Sequence, residues 1–201
     1  MPASSNPSND NPPILNLPQT GRDLPRPVFI GRTYPSSTLP EFRTAAVAIG
    51  SNLGDRAGHI VAALAELASL PRTRLTARSS VRETAAIGML GHDAGGPYLN
   101  AVTILSTKLK PRDLLSHLHR IEQSRGRDRS TEPARWMPRT LDLDLLLFES
   151  EVIDEPGLTI PHPRLHERFF VLEPLAEIAP NWIVPGHSRT VESLLLALTS
   201  P

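Results

Sequence analysis

The chain has no cysteine among its 201 residues, which excludes a disulfide framework, a thiolate metal site and a thiol nucleophile. It has no charge excess of either sign, with 21 Lys+Arg against 21 Asp+Glu. A neutral chain exerts no general pull on nucleic acid or an anionic membrane, so any electropositive site must be local. Aromatic residues make up only 4% of the chain, and few are placed to interleave with basic residues as nucleic-acid platforms require. Apolar stretches such as Leu145–Phe148 fall far short of the roughly 20 residues that span a bilayer. The opening Met1–Asn6 lacks the basic and apolar blocks of a secretory signal, and Asp10 and Asp23 run against a transit peptide. Neither G-x-x-x-x-G-K-[ST] nor G-x-G-x-x-G occurs, and there is no nucleophile elbow. These absences leave a soluble, cytoplasmic, monomeric protein as the expectation, with no nucleic-acid and no membrane partner.

Proline is abundant and unevenly placed: nine of the 21 lie in the first 40 residues, among Ser, Asn and Thr. Such a segment buries too little apolar surface to offset its ordering entropy. Residues 1–43 are therefore expected to form a disordered or loosely docked arm, and 44–201 the functional domain. From Thr44 the texture changes. Ala45–Ile49 reads as a buried strand ending at Gly50-Ser-Asn52, and Asp55 can cap a helix whose apolar positions Ile60, Leu64, Leu67 and Ala68 recur at three and four. Leu75–Val81 and Tyr98–Thr107 read as strands separated by a Gly-rich loop, Gly88–Gly96. Pro111 opens a second helix with the stripe Leu114, Leu115, Leu118 and Ile121, and Gly126 suits its C′ position. Arg139–Phe148 is a strand, Pro174–Ala179 a short helix, and Val191–Leu198 a last helix behind Thr190. The order β-α-β-β-α-β, with an α-helical tail, predicts an α/β (α+β) fold of the ferredoxin-like, split βαβ kind, its antiparallel sheet covered by helices on one face.

The sharpest chemical feature is Arg139-Thr-Leu-Asp-Leu-Asp-Leu145. Alternate residues of a strand share a face, so Asp142 and Asp144 point together while Leu141, Leu143 and Leu145 point to the core. At about 3.3 Å per residue their Cα atoms are roughly 6.6 Å apart. That spacing can bracket two Mg²⁺ ions about 3.5 to 4 Å apart, as phosphoryl-transfer sites do. An isolated D-x-D is more often the solvent face of a strand, and it is the neighbouring sequence that favours a metal pair. Arg120, Arg125, Arg127, Arg129, Arg135 and Arg139 fall within 20 residues beside Glu122, Asp128 and Glu132. Guanidinium groups clamp phosphate bidentately. The segment Arg127–Met137, with Trp136 in it, reads as a loop able to fold over a nucleotide; taken alone, it is more often a basic surface loop, and the adjacent acidic pair favours the phosphate reading. His162 and Arg168 can add phosphate donors. Asn100 and Tyr98, on one strand face, offer an amide for a heterocycle edge and a ring to stack on it.

Taken together these residues resemble the 6-hydroxymethyl-7,8-dihydropterin pyrophosphokinases of folate biosynthesis. The resemblance runs from about Ala45 to Leu198. It rests on Ala48-Ile-Gly-Ser-Asn-Leu-Gly54, Glu83-Thr84, Tyr98-Leu-Asn-Ala101, Arg120-Ile-Glu122, Gly126-Arg127, Arg135-Trp136, Pro138-Arg-Thr-Leu-Asp-Leu-Asp144, Ile160-Pro-His162 and Arg168. It implies a ferredoxin-like fold and transfer of the terminal pyrophosphate of ATP to the pterin hydroxymethyl group, with release of AMP. By the same resemblance Asp142 and Asp144 would hold two Mg²⁺, and Arg127, Arg129, Arg139, His162 and Arg168 would contact phosphates, Arg127 and Arg139 in the transition state. Glu122 would help hold the nucleotide and Trp136 would sit on the closing loop. Tyr98 and Phe170 would sandwich the pterin, with Asn100 and the backbone near Thr84 and Ile87 reading its edge. Two rivals predict different products: an RNA-binding module would show salt-sensitive affinity without turnover, and a generic nucleotidyltransferase would release pyrophosphate.

Overall fold

The computed structural model describes residues 41–85, 96–127 and 139–200. The chain divides into Met1–Tyr34 and Pro35–Pro201, and every described residue lies in the second unit. Strand β1 (Arg43–Ser51) is central: it pairs antiparallel with β4 (Tyr98–Thr107) on one side and β5 (Asp142–Phe148) on the other. The sheet order is β2-β4-β1-β5, with β3 continuing along β4, and every pairing is antiparallel. This is the expected ferredoxin-like arrangement.

The expected single strand Leu75–Val81 is two strands, β2 (Thr73–Arg78) and β3 (Arg82–Thr84). The break falls at buried Ser79, whose backbone N–H donates to the Val102 carbonyl at 2.9 Å while its hydroxyl accepts from the Val102 N–H at 2.9 Å. One residue thus occupies both ladder groups of Val102 and lets β3 restart in a new register. Strand β5 begins three residues later than expected, because Arg139 and Thr140 bond elsewhere. The Arg139 N–H donates to Asn52 Oδ1 at 2.7 Å, and the Thr140 hydroxyl donates to the Arg125 carbonyl at 2.8 Å.

Helix α1 (Arg56–Ala68) starts as expected, with Asp55 Oδ1 accepting from the Gly58 N–H at 3.0 Å, and buries Ile60, Ala63 and Leu67. Helix α2 (Pro111–Ser124) has Pro111 in its first turn and buries Leu114, Leu118 and Ile121. These side chains meet Ala45, Val47, Ile49, Leu143 and Leu145 in one apolar layer.

The opposite face of the sheet is covered too, which corrects the one-face expectation. Ala46, Val102, Ile104 and Leu146 pack there against Val171, Leu172 and Leu175 of α3 (Phe169–Ile178) and Val191 and Leu194 of α4 (Val191–Thr199). The unbroken apolar run Ala45–Ile49 is the sequence trace of a strand buried on both faces. Helix α3 begins five residues before Pro174, which sits inside it and is buried. Two short hairpins were also not anticipated: β6 (Ile153–Glu155) with β7 (Leu158–Ile160), and β8 (Ile183–Val184) with β9 (Arg189–Thr190).

Candidate active site

Because Leu143 and Leu145 enter the α1/α2 layer, Asp142 and Asp144 face the α3/α4 side of β5, where their carboxylates stay partly exposed. Gly50 pairs with Asn100 on one side and Asp142 on the other, and Arg82 pairs with Asn100. Register therefore sets Arg82, Asn100, Gly50 and Asp142 in one row across the sheet, with Thr84 and Tyr98 in the adjacent paired row. Gly50 leaves the middle of that floor open: a Cβ there would lie 3.3 Å from Asn100 Oδ1 and 3.9 Å from Asp142 Cβ. Buried Asn100 donates from Nδ2 to Thr84 Oγ1 at 2.8 Å.

The arginines converge on the two aspartates. Helix α2 ends with Gly126 at φ +87. The Gly126 N–H donates to the Gln123 carbonyl at 3.0 Å and the Arg127 N–H to the Glu122 carbonyl at 3.2 Å, the two bonds of a Schellman cap. That cap turns Arg127 back onto its own helix, where its guanidinium pairs with both Glu122 and Asp142. Glu122 is fully buried and also accepts from the Leu143 N–H at 2.8 Å. Arg139 Nη1 reaches Asp142 Oδ2 at 3.1 Å and Arg168 Nη1 reaches Asp144 Oδ2 at 3.0 Å. His162 Nε2 lies 3.8 Å from the same Asp144 oxygen. Burial pushes the Asp142 carboxyl up, but Arg127 and Arg139 beside it more than reverse this and hold it below the ordinary aspartate value. Burial pushes the His162 imidazole below its usual value, with Asp144 pulling the other way and Arg168 adding to the fall. The Tyr98 hydroxyl is raised by burial and by Asp142.

Phe170 is the second residue of α3, which packs over β3 and β4, and the Arg168 guanidinium lies 5.7 Å from its ring centroid. The structure thus brings Arg127, Arg139, Asp142, Asp144, Glu122, His162 and Arg168 together, with Thr84, Tyr98 and Asn100 on the adjoining part of the sheet. Ile87, Arg129 and Trp136 lie outside the described residues.

Sequence reasoning gave no separate role to Asn52, which is buried directly after β1. Its N–H donates to the Arg139 carbonyl at 3.1 Å and its carbonyl accepts from the Gly96 N–H at 3.3 Å, besides the side-chain bond to Arg139. An Asn placed where a strand leaves the sheet was the available signal.

A face of paired carboxylates ringed by guanidinium groups, beside an amide and two aromatic rings, can hold a charged polyphosphate next to a flat heterocycle. Residues 46–180 match the 7,8-dihydro-6-hydroxymethylpterin-pyrophosphokinase (HPPK) family. The chain belongs to this family. It is similar to the 2-amino-4-hydroxy-6-hydroxymethyldihydropteridine pyrophosphokinase of Pseudomonas aeruginosa, with 42% identity over 151 residues that cover 75% of this chain and 89% of that protein. The Bacillus subtilis protein of the same name is 42% identical over 132 residues, 66% of this chain and 75% of that protein. Among solved structures, wild-type Plasmodium falciparum HPPK-DHPS superposes with a TM-score of 0.61 at 13% identity, over 80% of this chain and 45% of that one. That likeness is one of fold, and the chain spans less than half the length of that protein.

Proposed function

We propose that the face formed by β5, β1 and β4 is where this HPPK-family chain transfers pyrophosphate from ATP to a pterin alcohol. The chain is a diphosphotransferase of folate biosynthesis. Its reaction joins the hydroxymethyl oxygen of 6-hydroxymethyl-7,8-dihydropterin to the β-phosphorus of ATP. The bond from that phosphorus to the α,β-bridging oxygen breaks, AMP leaves with that oxygen, and the hydroxyl proton is released. The observation that carries the site assignment is the pair Asp142 and Asp144 on one strand face, each held by an arginine able to turn to phosphate.

Phosphoryl transfer needs positioning and charge neutralisation more than covalent chemistry from the protein. Arg127, Arg139 and Arg168 rest on carboxylates, so the substrate-free site is nearly charge-balanced. When ATP enters, these guanidinium groups exchange carboxylate for phosphate oxygens, Arg127 and Arg139 stabilising charge on the group in flight. Glu122 acts on the nucleotide through Arg127, whose head group it holds from below. Burial favours the neutral form of His162, which serves as a hydrogen-bond partner. Asn100, with Thr84 and the backbone near Ile87, reads the pterin edge, and Tyr98 and Phe170 take its two faces. Arg129 and Trp136 keep the phosphate and nucleotide roles that the family resemblance implies.

The donor chemistry fits Mg²⁺. Asp142 and Asp144 are hard oxygen donors, and among the described residues no group of three or more His, Cys, Asp or Glu forms a closed cage; Mg²⁺ favours one or two carboxylates with phosphate and water completing its sphere. Two such ions on Asp142 and Asp144 would supply charge neutralisation at the phosphate oxygens. The reading extends to a monomeric, cytoplasmic enzyme acting on small molecules; among the described residues no helix is long and apolar enough to cross a membrane.

Asp142→Asn and Asp144→Asn test the assignment. Each is expected to remove nearly all AMP formation while circular dichroism stays that of the parent. Activity within a few-fold of the parent would place the chemistry elsewhere.

A further inference from the structure

Outside the ring of arginines and aspartates, a second polar cluster ties the back of α3 to the bend between β2 and β3. Glu177 Oε1 accepts from the Ser80 N–H at 2.9 Å, and Glu177 Oε2 accepts from the Ser80 hydroxyl at 2.6 Å. One carboxylate thus captures both donors of one residue. Arg82 stands 3.6 Å from Glu177 Oε2 and, with its other terminal nitrogen, 3.5 Å from Glu173 Oε1. On the far side of the bend, Ser79 is locked to both backbone groups of Val102 in β4. The bend is therefore held to the sheet by one serine and to the helix by the next.

Two consequences follow from where these residues sit. Along α3, positions 170, 173 and 177 recur at three and four, so Phe170, Glu173 and Glu177 lie on one helix face. Along β3, Arg82 and Thr84 share a face, and they pair with Asn100 and Tyr98. The same helix face and strand face that the clamp joins thus carry, one turn or one residue pair further on, the groups expected on either side of the pterin. Nothing in the phosphate chemistry uses Glu173, Glu177, Ser80 or Arg82.

Resting on the pterin pyrophosphokinase reading above, we infer that Glu177 is a positioning residue that sets the width of the pterin slot. It acts through Ser80 and Arg82, fixing α3, and with it Phe170, at a set height over Tyr98 and Asn100. A single exposed ion pair holds little free energy, but the capture of both Ser80 donors has a defined geometry that a loose surface pair lacks. When the clamp is released the slot widens or tilts. The flat ring then loses stacking, while the polyphosphate end keeps Asp142, Asp144, Arg127 and Arg139, none of which lies in α3 or at its cap.

The experiment is steady-state kinetics of the full chain with both substrates varied. For Glu177→Ala the pterin KM is expected to rise roughly three- to tenfold, with kcat at saturation and the KM for ATP within about twofold of the parent. Glu177→Gln keeps an acceptor for the Ser80 N–H and a partner for its hydroxyl, and is expected to recover most of the loss. Ser80→Ala, which removes only the hydroxyl, should fall between. An unchanged pterin KM in Glu177→Ala overturns the inference, as does a fall in kcat with both KM values moving together. If Glu177→Ala does not fold, Ser80→Ala and Glu177→Gln carry the same test. Absence of pterin-dependent turnover in the parent chain would instead overturn the functional reading itself.

Discussion

Gly126 shows how one backbone angle aims a side chain, that of Arg127, at Asp142. Its φ of +87 is in the left-handed region, and a Cβ there would meet nothing within 4 Å. The cost of Gly126→Ala is therefore backbone strain alone, about 1–2 kcal/mol, and calorimetry should read it as a few degrees of Tm. Because the same cap aims Arg127, kcat should fall as well. A variant with parental Tm and kcat would mean that Arg127 is placed by other contacts. For Arg139→Ala the expected loss is roughly 10²-fold or more in kcat, with ATP affinity changed far less; an unchanged kcat with weakened ATP affinity would make Arg139 a ground-state binder. Asp142 contributes a pH dependence to the substrate-free protein. Its folded pKa lies below the ordinary value, which is about 3.9. Its stabilisation is thus fully present above that value and is lost as the pH falls through the depressed one. The Tm difference between the parent and Asp142→Asn should be widest near neutral pH and should shrink towards pH ~2. A gap that stays constant with pH would show that the carboxylate charge is not what Arg127 and Arg139 stabilise.

At the scale of elements, the connections out of β1, β4 and β5 matter more than the strands. Asn52, at the exit of β1, bonds Gly96 and Arg139, which end the Gly-rich and the arginine-rich stretches of the sequence. Asn52→Ala removes the side-chain acceptor of the part-buried Arg139 N–H and should cost about 1 kcal/mol in denaturant unfolding; a neutral substitution would show that this bond is remade elsewhere. Strands β1 and β4 and the ends of α1, α2 and α4 were legible, because alternation and the Asp55, Pro111, Gly126 and Thr190 signals act locally, and each is found doing what its residue type dictates. Helix α3 was not fully legible. Proline favours a first turn, so Pro174 reads as a start, whereas the apolar residues Val171, Leu172 and Leu175 bury against the sheet and extend the helix back to Phe169 despite one lost hydrogen bond. That extension places Phe170 on a helix, which sequence pattern alone did not do.

For the molecule as a whole, the site exists because the sheet is covered on both faces. The α1/α2 layer takes Leu143 and Leu145, which forces Asp142 and Asp144 onto the face that α3 and α4 cover. Leu118 is fully buried in the first layer. Leu118→Ala should cost about 2–5 kcal/mol, a Tm drop of roughly 2–4 °C per kcal/mol for a chain this size, without changing which product is formed. The second layer was invisible to strand-by-strand reading because the register that sends Ala46, Val102 and Leu146 to α3 and α4 is a long-range property; only the unbroken apolar run in β1 hinted at it. The candidate site was more legible than the layers. Its carboxylates and arginines are close in sequence, whereas Asn52, Ser80 and Glu177 act through partners between 44 and 97 positions away.

The most direct measurement is product analysis of purified chain given ATP, Mg²⁺ and 6-hydroxymethyl-7,8-dihydropterin. AMP and the pterin diphosphate should form in equal amounts, and only when the pterin is present. ADP, free pyrophosphate, or AMP formed without the pterin would contradict the account.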